Sequence, residues 1–127
     1  MTRVTALGGI FFKAKDPKAL YEWYRLHLGI ESNPDGTGAN WRDADHPGIP
    51  GCCVWGIFPQ DTTYFGSGQL SFMVNFRVEN LDELLKLLRE EGVPVDPKVE
   101  EYGYGKFAWV TDPEGNRVEL WEPPKEK

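Results

Sequence analysis

The sequence lacks several features that would point directly to a function. Its 127 residues include two cysteines, two histidines and 14 basic residues against 20 acidic ones. The net charge of −6 argues against a nucleic-acid partner, because phosphate backbones are bound by basic surfaces. No apolar run approaches the ~18 residues of a membrane-spanning helix, and no apolar segment follows Met1. These absences predict a soluble, cytoplasmic protein with no membrane partner.

Several common catalytic and cofactor-binding patterns are also missing. Cys52 and Cys53 are adjacent, so on a strand they point to opposite faces and form neither a structural disulfide nor a zinc site. The phosphate-binding loops G-x-G-x-x-G and G-x-x-x-x-G-K are absent, and no serine or cysteine nucleophile stands beside a base. The sequence therefore predicts no cofactor.

The chain contains an internal repeat with a period of 64 residues. Residues 7–30 read LGGIFFKAKDPKALYEWYRLHLGI, and residues 71–93 read SFMVNFRVENLDELLKLLREEGV. At this offset the apolar positions coincide, and Gly29 meets Gly92 after one deletion. A period of this length indicates two copies of one small unit rather than a short-repeat solenoid.

Each copy has the pattern of a strand, a helix and about three further strands. Asp16-Pro17 and Asn80 are N-cap signals, Gly29 and Gly92 are stop signals, and turn residues separate the later strands. We predict one α+β domain over residues 1–127, with module one at 1–58, a linker at 59–69 and module two at 70–127. Helices should cover one face of each curved mixed sheet, and the other face should line a cup.

Strand alternation assigns side chains to these two faces. The apolar set beginning Ile10, Phe12 and Ala14, with its repeat in module two, should pack under the helices. Alternation over residues 53–58 places Trp55 on the opposite face, in the cup, across from Glu119. That face mixes aromatic and charged side chains, which is typical of a ligand pocket and also of a dimer interface.

The duplicated plan, together with DPEGNRVELWE at residues 112–122 and ALGGIFFKAKDPKALYEWYRLHLGI at residues 6–30, resembles the vicinal oxygen chelate superfamily. This superfamily includes glyoxalase I, the bleomycin-resistance proteins and the extradiol dioxygenases. The resemblance covers essentially the whole chain. It implies two tandem βαβββ modules around a cup, and a homodimer.

The resemblance also implies four metal-ligand positions, which fall on Gly9, Trp55, Met73 and Glu119. Of these four, Glu119 alone offers a ligand suited to a divalent metal. Catalytic sites generally use two or three protein ligands, so we predict no metal; a divalent ion at Glu119 is the alternative. Neither histidine occupies a ligand position: His27 is expected at a helix end and His46 in a turn at the mouth of the cup.

The leading functional hypothesis is a protein that binds a small apolar or aromatic molecule without a family-type metal. The alternative is a lyase or isomerase of the glyoxalase type, with Glu119 as the general base, and a third possibility is a pure dimerisation module. The carboxylate of Glu119 suits either anchoring of a ligand or proton abstraction. The predicted catalytic residue is Glu119, and the predicted ligand-binding residues are Phe11, Trp55, Met73, Asn75, Tyr104, Phe107 and Trp121.

Overall fold

The computed structural model describes residues 3–31, 39–41, 53–66 and 70–124, with residues 39–41 described for their backbone alone. His46, with its predicted turn, and Cys52 lie outside the described residues. The elements in chain order are β1 (Val4–Ala14), α1 (Pro17–Leu28), β2 (Ala39–Trp41), β3 (Cys53–Pro59), β4 (Phe72–Val78), α2 (Leu81–Glu90), β5 (Glu100–Tyr102), β6 (Gly105–Thr111) and β7 (Arg117–Glu122).

This order confirms the α+β class and the duplicated strand-helix-strand plan. Module two has the three predicted strands after its helix. In the described part of module one, two strands follow α1, and the rest of that segment lies outside the described residues. No helix in the described part of the chain is both long and apolar enough to cross a membrane.

Both helices begin at the predicted caps. The Asp16 side chain accepts a hydrogen bond from Ala19 N at 3.0 Å, and Asn80 accepts one from Glu83 N at 3.1 Å. Each bond satisfies a backbone donor that the first turn of a helix leaves open. Gly29 ends α1 in the left-handed region with φ of 70°, a conformation that glycine adopts without a side-chain clash.

The chain divides into two compact units, residues 9–72 and residues 1–8 with 73–127. The second, here called the C-terminal unit, has the strand order β1-β4-β7-β6-β5, with β4 and β7 parallel and β6 antiparallel to β5 and β7. Helix α2 covers one face of this sheet. The buried core between them consists of Val78, Leu81, Leu84, Leu85, Ala108 and Leu120.

A side chain of β7 also fixes the start of α2. Glu122 accepts a hydrogen bond from Leu81 N, the first residue of the helix, at 2.8 Å. Lys106 on β6 lies 3.2 Å from the Asp82 carboxylate. Alternation puts Lys106 and Glu122 on the helix-covered face, so the odd-numbered residues of β6 and β7 lie on the other face.

The other unit, residues 9–72, has the order β2-β3-β1, with β1 and β3 parallel and β2 antiparallel to β3. Helix α1 packs on this sheet through Tyr21 and Tyr24, whose rings lie 5.5 and 4.8 Å from that of Trp55. The Tyr21 hydroxyl accepts a hydrogen bond from Ile57 N at 2.7 Å. No residue of α1 is buried in the described structure, and Trp23 is 49% exposed.

The sequence predicted that the Trp55 side chain lies on the face of the sheet opposite α1. This prediction is wrong, because the Trp55 ring packs on α1. Trp55 also lies 5.8 Å from Phe12, which contacts Tyr24 on the same side of the sheet. Phe11 and Phe58 form the contact on the opposite face, at 5.5 Å. Neighbouring residues of a strand alternate between faces, so an assignment displaced by one residue places every side chain of β3 on the wrong side.

The displacement comes from the repeat itself. In the structure Phe11 pairs with Gly56, and Asn75, which matches Phe11 at the 64-residue offset, pairs with Glu119. Gly56 is therefore the counterpart of Glu119, at an offset of 63 rather than 64. The one-residue deletion near Gly92 persists to the end of the repeat.

Candidate ligand-binding site

The face of the C-terminal unit opposite α2 carries most of the predicted site residues. Alternation and the pairing of Asn75 with Glu119, and of Glu119 with Trp109, put their side chains on the same face. We call this surface the aromatic face. Its members are Met73, Asn75, Arg77, Phe107, Trp109, Arg117, Glu119 and Trp121.

Glu119 is held at the centre of this face by two hydrogen bonds. Its Oε1 accepts a hydrogen bond from Asn75 Nδ2 at 2.6 Å, and its Oε2 accepts one from Trp109 Nε1 at 2.9 Å. Glu119 is 1% exposed and Asn75 2% exposed. A buried carboxylate needs such donors, because an uncompensated charge in the interior is costly. The two bonds also fix the orientation of the carboxylate.

The Asn75 side chain is confined by the strand beside it. Its Oδ1 is buried and has no hydrogen-bond partner within the described ranges. The same atom lies so close to Gly8 on β1 that a Cβ at Gly8 would overlap it. Glycine at position 8 therefore leaves the space that lets Asn75 reach Glu119.

A group of stacked and edge-on rings lies two residues further along the strands. Phe107 and Trp121 are paired across the β6–β7 ladder, and their rings are nearly parallel, with centroids 6.1 Å apart. The indole N–H of Trp121 donates to Tyr104 O at 2.9 Å. Tyr104 itself is exposed, lies in the turn between β5 and β6, and contacts Phe107 at 5.6 Å.

At the other end of the face a cation packs on Trp109. The Arg117 guanidinium lies 5.0 Å from the centre of a Trp109 ring, and its Nη1 is 3.2 Å from Asp96 Oδ2. Cation–π contacts of this kind help to hold the ring in place. The backbone N–H of Lys98, followed by the Arg117 guanidinium, lowers the pKa of Asp96 below its usual value.

The structure brings together five of the predicted site residues on the aromatic face: Met73, Asn75, Phe107, Glu119 and Trp121. Tyr104 borders them through its carbonyl and its ring. Phe11 and Trp55 belong to the other unit, residues 9–72. His27 is exposed at the end of α1, 5.0 Å from Trp23.

Trp109, the partner of Glu119, was not predicted from the sequence. The signal was available in the turn at residues 112–116, where Asp112 accepts hydrogen bonds from Glu114 N and Asn116 N. That turn pairs Thr111 with Arg117, and counting back along both strands brings Trp109 opposite Glu119. Turn geometry sets the register of a hairpin.

A separate open groove of about 470 Å³ lies in the unit of residues 9–72. Its walls include Ala14, Asp16, Leu20, Trp23 and Tyr24, at the start of α1. None of these belongs to the predicted ligand-binding set. We therefore place the candidate site on the aromatic face, where the polar anchors are.

The residues at the family's metal-ligand positions do not fit a family-type metal. With the corrected register of β3, these positions fall on Gly9, Gly56, Met73 and Glu119. Neither glycine offers a ligand atom in a side chain, and a thioether is a poor partner for Zn²⁺, Mn²⁺ or Fe²⁺. Within the described residues no group of three or more His, Cys, Asp or Glu side chains is placed to hold a metal ion.

Comparison with known proteins agrees with this fold. A family profile described as Glyoxalase/Bleomycin resistance protein/Dioxygenase superfamily matches residues 7–120. The chain belongs to this superfamily, as the sequence resemblance predicted. No curated protein is similar enough in sequence to match the chain.

Solved structures with the same fold include two methylmalonyl-CoA epimerases. The one from Mycobacterium tuberculosis is 19% identical, with a TM-score of 0.64 over 98% of this chain and 91% of that one. A Streptomyces coelicolor epimerase in complex with 2-nitronate-propionyl-CoA is 16% identical, with a TM-score of 0.69 over 96% of this chain and 99% of that one. A Legionella pneumophila structure described as an NAD-dependent benzaldehyde dehydrogenase is 15% identical, with a TM-score of 0.62 over 91% of this chain and 98% of that one. At these identities the likeness shows the fold alone.

Proposed function

We propose that this protein binds a small aromatic or apolar molecule on the aromatic face, with Glu119 and Asn75 as polar anchors and without a family-type metal. The observation that carries the proposal is the Glu119 carboxylate, buried yet fixed by Asn75 and Trp109 beside the Phe107–Trp121 pair. Ligand sites in proteins are mostly apolar, with a few polar groups that set the ligand's orientation. This arrangement has that composition.

The geometry indicates what the ligand should offer. A carboxylate oxygen can accept more than one hydrogen bond, so the Glu119 carboxylate can take a ligand donor in addition to its protein partners. The neighbouring rings of Phe107 and Trp121 favour an aromatic ligand body, because offset ring pairs add attraction beyond the area they bury. The ligand is therefore an aromatic molecule with an O–H or N–H donor.

Calorimetric titration tests the proposal with neutral aromatic probes that differ in one donor, for example 4-hydroxybenzamide and 4-methoxybenzamide. The hydroxyl compound should bind about tenfold more tightly, the gain expected for a hydrogen bond to a charged acceptor. Glu119→Gln should weaken its binding, whereas Glu114→Gln, the same change at an exposed carboxylate in the 112–116 turn, should not. Equal binding of both probes, or equal effects of both substitutions, would contradict the proposal.

A second candidate is an enzyme in which Glu119 removes a proton beside a carbonyl. The fixed orientation of the carboxylate favours it, since a general base must be held within reach of the proton that it takes. The fold is shared with methylmalonyl-CoA epimerases, so methylmalonyl-CoA is a suitable probe. Deuterium incorporation from D2O at the carbon beside the thioester, followed by NMR, would show turnover. Exchange that survives a chelator but fails in Glu119→Gln would establish the metal-free enzyme.

Three expectations from the sequence stay predictions: homodimer formation, cytoplasmic location and the absence of a cofactor. The alternative to the absence of a cofactor is a divalent metal at Glu119. Elemental analysis of the purified protein and of Glu119→Gln separates the two, because a metal held by Glu119 would be lost in the variant.

A further inference from the structure

We propose that Arg77 binds an acidic group of the ligand, so that the aromatic face takes aryl carboxylates in preference to neutral aromatic molecules. The proposal rests on the proposed function and narrows its ligand class. Arg77 lies on β4, two residues after Asn75, and pairs in the β4–β7 ladder with Trp121. Alternation therefore gives its side chain the same face as Asn75, Glu119 and Trp121.

The Arg77 side chain lacks the partner that its surroundings require. Its Nε is buried, and among the residues the structure describes none accepts a hydrogen bond from it or pairs with the guanidinium. The residue as a whole is half-buried, so part of it is open to solvent. A buried donor without a partner costs free energy, more so when it belongs to a charged group. A ligand anion would supply an acceptor to the other N–H groups of the guanidinium and compensate its charge.

Arg117 Nε is likewise buried without a hydrogen-bond partner, so two arginines of the described chain share that feature. What distinguishes Arg77 is the lack of a carboxylate partner: Arg3 pairs with Glu91, Arg25 with Glu22 and Arg117 with Asp96. Arg89 is exposed on α2, where its donors are open to solvent.

With 20 acidic residues against 14 basic ones, the chain has carboxylates in excess. The Arg77 guanidinium is nevertheless left without one in the described structure, although the residue is half-buried. The side chain is therefore available to an acidic group that comes from outside the protein.

The spacing of the groups sets the shape of the ligand. Arg77 and Trp121 lie two residues along their strands from Asn75 and Glu119, a distance of roughly 7 Å. A guanidinium binds a carboxylate through two parallel N–H donors, whereas a neutral amide cannot match that charge and geometry. A ring between the two ends can contact Trp121 and Phe107, with its carboxylate on Arg77 and its donor on Glu119.

The test compares 4-hydroxybenzoate with 4-hydroxybenzamide by calorimetric titration. The two probes share the ring and the hydroxyl group and differ in the charge at one end. Wild-type protein should bind the acid about tenfold more tightly than the amide. Arg77→Gln should abolish this preference. Arg77→Lys should retain part of it, because lysine keeps the charge but loses the two-pronged geometry.

Arg89→Gln is the matched control, since it makes the same charge change on the exposed side of α2. It should leave the preference intact, which separates a contact at Arg77 from a general effect of net charge. Equal binding of acid and amide by wild type would overturn the role of Arg77 while leaving the proposed function standing. A preference that persists in Arg77→Gln would do the same. Failure of both probes to bind at millimolar concentration would contradict both proposals.

Discussion

Asn75 donates to Glu119 across the parallel β4–β7 pair at 2.6 Å, and both side chains are almost wholly buried. The bond joins the first and last strands of one repeat, the strands on which the superfamily resemblance places the metal-ligand positions. In this chain the Glu119 carboxylate accepts hydrogen bonds from the Asn75 amide and the Trp109 indole. Glu119 occupies one of these metal-ligand positions, and its observed partners, Asn75 and Trp109, are hydrogen-bond donors.

Gly8→Ala should destabilise the protein by about 1–3 kcal/mol, because the new methyl group would displace the Asn75 amide and break its bond to Glu119. Urea denaturation measures the loss. Gly103→Ala is the control, since a Cβ there would meet no atom within 4 Å and its φ is not positive. Equal losses in both variants would contradict the close approach of Gly8 and Asn75.

Glu119→Leu should cost more stability than Glu119→Gln. Leucine leaves the buried donors of Asn75 and Trp109 without an acceptor, at about 1–3 kcal/mol each. Glutamine keeps one acceptor oxygen and nearly the same shape, so its effect should be less than half as large. Denaturation midpoints of the two variants check this order, and a leucine variant as stable as wild type would show that Glu119 has no structural role.

Tyr21→Phe should destabilise the protein by about 1–2 kcal/mol, because the hydroxyl accepts a hydrogen bond from Ile57 N at 2.7 Å. The same variant should bind the aromatic probes as wild type does, since Tyr21 packs with Trp55 on the α1 side of its sheet. Thermal unfolding and probe titration are measured on one preparation. Weakened binding without a loss of stability would show that Tyr21 contacts the ligand rather than holding α1 on its sheet.

The Asp96 carboxylate should make the free energy of unfolding depend on pH. Its pKa is lowered in the folded protein, chiefly by the Lys98 N–H and then by Arg117, so the stabilisation is present above the unfolded value of about 3.9. It is lost as pH falls below that value toward the folded pKa. Asp96→Asn should therefore be less stable than wild type at pH near 7, with the gap closing in acid. Asp61→Asn, at an exposed aspartate, should show a smaller gap at neutral pH.

Local signals in the sequence predicted the helices well. The caps at Asp16 and Asn80 and the glycine stop at Gly29 depend on a few consecutive residues, so the sequence contains everything needed to place them. The apolar stripe of α2 was equally readable, because leucines at helical spacing pack against one face of one sheet.

The sequence did not determine which face of the sheet each side chain of β3 occupies. Side chains alternate between faces at every residue. Overlooking the single deletion between the repeats therefore assigns Trp55 to the wrong face of the sheet. Trp109 was missed for a related reason: its contact with Glu119 depends on the hairpin register, which the 112–116 turn sets. Arg77 has no sequence signal as a binding residue, since its missing partner is visible only when the surrounding side chains are placed.

The measurement that tests the central claim most directly is an NMR titration of the tryptophan indole N–H groups with 4-hydroxybenzamide. Trp109 and Trp121 lie on the aromatic face, whereas Trp23 is 49% exposed on α1 and serves as an internal control. The proposed site predicts saturable shifts of the Trp109 and Trp121 signals with one common affinity, and an unchanged Trp23 signal. Shifts confined to Trp23, or Trp109 and Trp121 signals that do not respond while the probe binds, would contradict it.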